Sequence, residues 1–337
     1  MLDIGHPKDV NVFKNVIFSL LKKGHEIKIF VRAKENTEKM IKMYGFDYKL
    51  SKHFNTMLGK AFGVIYNDML LYKTSRIFKP DIFVSPGSPY SAHVSRLMGK
   101  PHIAFSDTEI ANIVTKITLP FTDKIYTSTS FYLDLGKKQE KFNGYYELAY
   151  LHPNYFKPNK ILLNKYGLDG DYILFRLSAL SSIHDMNARG FGFNSENELI
   201  NYIAKLEKYG RVIIFSETSH WQTIKNYQIE INPKDLHDII FHARLYIGEG
   251  ATMASESAIL GVPSIYVSNT ERGYLNELDK KYGLVYNIPD KNNALIKAIE
   301  ILENITTKNE WNQKRDIMLK DKIDVVEFMI NAIECYA

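Results

Sequence analysis

The sequence predicts an α/β protein of two domains, each built on a parallel sheet with helices on both faces. Three observations carry that prediction. The chain has 337 residues, beyond the size at which one hydrophobic core usually stops growing. Short β-branched and aromatic runs alternate with amphipathic helical patterns along most of it. Between about residues 143 and 158 the alternation breaks at Gly144, Pro153 and Pro158, then starts afresh.

The opening residues MLDIGHP read as the end of a buried strand running into a loop. From Val10 to Leu21 the apolar positions Val12, Phe13, Val16, Ile17, Leu20 and Leu21 fall three and four apart, and Gly24 ends the run, so a helix is expected. Glu26 to Val31 reads as the second strand. A short helix over Thr37–Tyr44 and a longer helical region over Met57–Phe78 follow. Asp81–Val84 is then a strand that delivers Ser85–Pro89 into a turn. Ala92–Met98 returns as a helix, His102–Phe105 as a strand, Ser106–Glu109 as a capped helix start, and Asp123–Thr127 closes the first set.

The second set begins with the strand Tyr172–Phe175, the helix Glu196–Tyr209 and the strand Val212–Phe215. It then reaches RLYIGEGATMASESAILGVPSIYVSN, residues 244–269. Here the apolar run Leu245–Ile247 meets Gly248-Glu249-Gly250 and a helical pattern closed by Gly261-Val262-Pro263, which predicts strand, glycine turn, helix and strand. Val285 and Ile288 bracket a last short strand. Helices over Ala294–Leu302, Glu310–Leu319 and Val325–Ile333 end the chain.

Composition narrows the class. Apolar residues make up 45% and charged residues 24%, as in ordinary globular proteins. The net charge of +5 is dispersed, with no long basic block interleaved with aromatics, which argues against nucleic acid as a partner. The lone cysteine, Cys335, permits no disulfide framework or thiolate metal cluster within the chain and fits a reducing cytoplasm. No stretch approaches transmembrane length, and Asp3 stands where a signal peptide would carry apolar residues, so any membrane contact is expected to be peripheral.

In parallel sheets ligands bind beyond the carboxyl ends of the strands, so the loops there hold the candidates. The amides of Gly250, Ala251 and Thr252 open a helix without a bulky side chain in the way, which suits a diphosphate. Glu256, one turn further along, is placed to accept hydrogen bonds from a ribose diol or to be a plain surface glutamate. Arg176, Ser178, Ser181, Ser182 and His184 form a polar cluster suited to phosphate oxygens, with a His184–Asp185 structural pair as the alternative. Arg272, in the loop after the following strand, could reach ligand oxygens.

In the first domain His6 is the general acid or base candidate and equally a helix cap. Asp107, with Glu109, is the carboxylate candidate, or an N-cap. Trp221 and Tyr227 could stack on a base, though core packing suits them as well. No metal site is expected, because the histidines are scattered and His237 and His242 do not share a helix face.

The segment GATMASE followed by AILGVP resembles the donor-nucleotide segment of two-domain GT-B enzymes, in which a glycine-led helix binds the diphosphate and its glutamate the ribose. With LDIGHPKDVNVFKN, SPGSPYSAHVSRLMGKPHIAFSDTE and FRLSALSSIHDMNARGF, it resembles the DUF354 family over nearly the whole chain. That family is similar to MurG-type glycosyltransferases and to hydrolysing UDP-N-acetylglucosamine 2-epimerases. The resemblance implies a GT-B architecture of two Rossmann-like domains facing a central cleft. An acceptor domain is expected over residues 1–150, a linker over 151–165, a nucleotide-sugar domain over 166–320, and a final helix over 321–337 that in such proteins packs back on the first domain.

It further implies a metal-independent glycosyltransferase-like enzyme of surface glycan or glycolipid synthesis. The donor would be a nucleotide sugar, UDP-linked, bound as substrate with no separate cofactor, and the acceptor is open. Two alternatives remain. A hydrolysing-type epimerase is disfavoured because the segment that usually reads HGD is Ser85-Pro86-Gly87, although Asp107 falls near the next acidic position. A non-catalytic nucleotide-sugar-binding protein is the other.

Overall fold

The computed structural model describes residues 1–33, 36–52, 57–107, 109, 113–178, 189–216 and 221–336. They divide into two units, Met1–Tyr155 with Ile323–Ala337, and Phe156–Lys322. The stretch expected as a linker is shared between them, since the division falls at Tyr155.

In the first unit the chain runs β1 (Leu2–Ile4), α1 (Pro7–Lys22), β2 (Ile29–Arg32), α2 (Thr37–Met43), β3 (Tyr48–Ser51), α3 (Met57–Phe78), β4 (Phe83–Ser85), α4 (Pro89–Met98), β5 (His102–Phe105), α5 (Ile113–Thr118), β6 (Lys124–Ser128), β7 (Gln139–Phe142) and α6 (Leu148–Leu151). The strands form one parallel sheet in the order β3-β2-β1-β4-β5-β6-β7. Its order reverses between β1 and β4, which is where such sheets open a crevice at their carboxyl edge.

Local chemistry explains the first helix. His6 is its N-cap, Pro7 fills a first-turn position where no N–H is needed, and Gly24 takes φ +93° just beyond the last turn. Val12, Phe13, Val16, Ile17 and Leu20 form its buried stripe, and burial of each such side chain contributes about 1.5–3 kcal/mol.

The second unit runs β8 (Tyr172–Leu177), α7 (Glu196–Leu206), β9 (Arg211–Ser216), α8 (Leu236–His242), β10 (Leu245–Gly248), α9 (Ala251–Ile259), β11 (Ser264–Tyr266), α10 (Gly273–Lys280), β12 (Val285–Asn287), α11 (Lys291–Glu303) and α12 (Thr307–Asp321). Its parallel sheet has the order β12-β11-β10-β8-β9, with the reversal between β8 and β10. Ile173, Leu174, Phe175, Leu245, Tyr246 and Ile247 at its centre have no measurable exposure, as strands covered on both faces should.

The last helix, α13 (Val325–Glu334), belongs to the first unit. Asp324 caps it through the amides of Val326 and Glu327, and it packs on α1 and α6. The Lys23 ammonium, 2.8 Å from the Glu334 carboxylate, fastens its far end. No helix among the described residues is long and apolar enough to cross a membrane.

Candidate functional site

The switch point of the second sheet collects most of the residues the sequence singles out. Gly248 ends β10 directly beside Arg176 at the end of β8; a Cβ there would lie 2.5 Å from the Arg176 Cβ and 2.9 Å from its backbone N and O. Only glycine permits that approach. Gly250 is the N-cap of α9, with φ −86° and ψ 106°, and as a glycine it brings no side chain of its own to cap the helix. The Arg176 side chain runs past this start, its Cγ 3.2 Å from where a Gly250 Cβ would stand. The Tyr246 hydroxyl donates to the Gly250 carbonyl at 2.9 Å and fixes the turn from below. A helix start, its dipole and a guanidinium thus converge within one crevice.

Glu249, which the sequence does not mark out, braces that crevice. Its carboxylate accepts the amides of Ser178 and Phe191, both at 2.7 Å. Gly190 passes so close that a Cβ would come within 2.0 Å of Glu249 Oε1. The segment at 189–191 is tied further by the Arg189 amide, which donates to Asn269 Oδ1 at 2.6 Å.

Glu256 is not the surface residue of the alternative reading. It is 4% exposed and its carboxylate lies 3.1 Å from Nε2 of His237, on α8. Thr252 is half-buried in the first turn of α9. Arg272 is the N-cap of α10 and donates to the Glu271 carbonyl at 2.9 Å. His184, with Ser181, Ser182 and Asp185, lies outside the described residues. His237 and His242 share α8 on different faces, and among the described residues no group of three or more His, Cys, Asp or Glu side chains could hold a metal ion.

In the first unit His6 is exposed and caps α1. Its Nδ1 accepts the Lys8 amide at 3.3 Å while Asp9 accepts the amides of His6 and Gly5 at 2.9 and 3.1 Å. This is a reciprocal capping box. Asp107 does not stand alone either. The Lys8 ammonium bridges its carboxylate to that of Glu147, the second contact being 3.0 Å, with Glu147 buried. Burial pushes the Asp107 carboxyl up, but Lys8 outweighs it and holds Asp107 below the ordinary carboxylate range. Glu109 is buried and accepts the Tyr132 amide at 3.3 Å.

The Ser85-Pro86-Gly87 turn carries no titrating group. The Ser85 hydroxyl accepts the amides of Gly87 and Ser88 at 3.1 and 2.9 Å and lies 2.9 Å from His102 Nε2. His102 Nδ1 is 3.0 Å from the Thr122 hydroxyl, which donates to the Thr118 carbonyl. That direction fixes the proton on Nδ1, so Ser85 donates to Nε2. The ring is neutral, since burial pushes its pKa down to about 3.

Two parallel sheets, each with polar side chains gathered at its switch point, define an α/β protein of the GT-B class. A family model described as "Protein of unknown function (DUF354)" matches residues 1–334, and the chain belongs to that family. An uncharacterised protein of Methanocaldococcus jannaschii is 27% identical over 285 residues, covering 78% of this chain and 80% of that protein. Among solved structures, S. aureus MnaA with UDP gives a TM-score of 0.70 at 12% identity over 100% of this chain and 96% of that one. The UDP-GlcNAc 2-epimerase of M. jannaschii gives 0.69 at 15% identity, over 100% and 99%. A Streptomyces glycosyltransferase complexed with thymidine diphosphate gives 0.57 at 13% identity, over 97% and 98%. Likeness at such identities shows the fold.

Proposed function

We propose that this chain is a glycosyltransferase-like enzyme that takes a nucleotide sugar, UDP-linked, as donor. The observation that carries the reading is the glycine N-cap of α9, Gly250, with Arg176 alongside it in the β8/β10 crevice. That combination offers backbone amides, a helix dipole and a fixed guanidinium to a diphosphate. Glu256, oriented by His237, is assigned to the ribose. Arg272 and His184 are assigned to the outer phosphate oxygens.

In transfer the acceptor hydroxyl attacks the anomeric carbon. The bond from that carbon to the diphosphate breaks, the nucleoside diphosphate leaves with the electron pair, and the acceptor proton passes to a base. Asp107 is assigned as that base: Lys8 keeps it ionised and its side chain is 36% exposed. His6 is the alternative for that base and the weaker one, because its Nδ1 lone pair already receives the Lys8 amide. Asp107, Lys8 and Glu147 also favour a second reading, a hydrolysing epimerase, and the M. jannaschii epimerase matches the chain more closely than the Streptomyces transferase. Surface glycan or glycolipid synthesis is the setting we assign to the transferase.

Incubation with UDP-N-acetylglucosamine alone, and with candidate acceptors, separates the readings. Release of UDP that requires an acceptor supports transfer. Release of UDP with a C2-inverted free sugar and no acceptor supports the epimerase. Nucleotide binding without turnover under either condition leaves a binding protein.

A further inference from the structure

The switch point of the first sheet holds a second group of side chains, separate from Lys8, Asp107 and Glu147. Asp3 in β1 has no measurable exposure, and among the described residues neither of its carboxylate oxygens has a hydrogen-bond partner. The hydroxyls of Ser88 and Ser91 lie beside it, at the start of α4, without completing a bond. Among the described residues the one cation that approaches is Arg32, at the end of β2, whose Nε stands 3.9 Å from Asp3.

An arginine that served only to neutralise a buried carboxylate would set two N–H groups on it at about 2.8 Å. Arg32 does not. Its guanidinium lies over Gly5, where a Cβ would fall 1.8 Å from Nη2 and 2.4 Å from Cζ. Its Cζ is 5.3 Å from the centre of the Tyr90 ring. The side chain is 23% exposed, and it makes no hydrogen bond among the described residues. Charge from Asp3, the bare backbone of Gly5 and the Tyr90 face therefore orient the guanidinium while leaving its donors uncommitted.

We infer that Arg32 anchors an oxyanion subsite at the carboxyl end of the first sheet, taking a carboxylate or phosphate group of a second substrate. Both groups present two oxygens at the spacing of the guanidinium fork. The β1/β4 crevice is where a parallel sheet of this order receives ligands. Asp3 holds the arginine in place without consuming the donors that the ligand needs. In the proposed transferase reading that second substrate is the acceptor, and only this identification rests on that reading.

The test is calorimetric titration of the full chain with inorganic phosphate and with succinate, each with UDP in excess to fill the start of α9. The wild type should bind, and Arg32→Met and Gly5→Ala should each weaken binding about tenfold or more, the loss expected for hydrogen bonds to a charged group. Affinity for UDP should stay as it was. Tighter phosphate identifies a phosphoryl group, and tighter succinate a carboxylate. Should Arg32→Met unfold because Asp3 is left alone, the double variant Asp3→Asn with Arg32→Met removes the pair together and is read in the same way. Undiminished anion binding in the folded variants, or none in the wild type, overturns the subsite. If UDP itself does not bind, the donor reading fails, and an Arg32-dependent anion titration still stands.

Discussion

Nε2 of His237 lies 3.1 Å from a carboxylate oxygen of Glu256, and both side chains are buried. A buried carboxylate gains orientation from such a partner and loses it when the partner is removed. Glu256→Ala should weaken nucleotide binding by about tenfold or more, in line with about 1.5–3 kcal/mol for hydrogen bonds to a charged group. His237→Ala should weaken it less and lower the melting temperature. Calorimetry and thermal denaturation read the two effects, and unchanged affinity in Glu256→Ala removes the glutamate from the site.

Lys8 gives Asp107 its low pKa, so the acid limb of the kcat/KM profile should depend on Lys8. In Lys8→Met, burial acts without its counterweight and the limb should move to higher pH. Asp107→Asn should lower turnover by about 10²–10⁴-fold while UDP still binds. A profile that does not move in Lys8→Met argues that another group accepts the proton.

Gly248→Ala tests the close approach of β10 to β8. The new methyl would sit 2.5 Å from the Arg176 Cβ, with the Arg176 backbone only 2.9 Å away. We expect a loss of about 1–3 kcal/mol of stability, measured by urea denaturation, and weaker nucleotide binding as Arg176 is displaced.

His102 should make the first unit acid-sensitive. Its folded pKa is about 3 against an ordinary value of 6.5. Between those values the unfolded chain binds a proton that the folded chain refuses, so stability falls as pH drops from about 6.5 toward about 3. His102→Gln should flatten the melting temperature across that window, and a slope equal to the wild type's would contradict the buried neutral ring.

Much of this was legible in the sequence because it is written locally. The strand–glycine–helix junction at 245–259, the capped start of α1 and the closing helices all announce themselves within one or two turns of chain. The edge strands Tyr48–Ser51 and Gln139–Phe142 do not. They are short, and Lys49, Leu50, Glu140 and Lys141 face solvent, so neither shows an apolar run. The site residues that escaped notice are those defined by distant partners. Lys8 meets Asp107 from 99 residues away, and His237 and Arg32 acquire their meaning only once α8 lies on α9 and β2 on β1. No periodicity encodes such pairings. Glu249 and Gly190 are a milder case, because a glycine near a glutamate is too common a combination to single out.

The measurement that bears most directly on the central claim is calorimetric titration of the purified chain with UDP, CDP, GDP and TDP, each with and without EDTA. The account predicts micromolar binding with a preference for UDP, insensitive to EDTA and lost with Glu256→Ala. No binding to any of the four would contradict it, and would mean that the crevice beside Gly250 and Arg176 serves a different ligand.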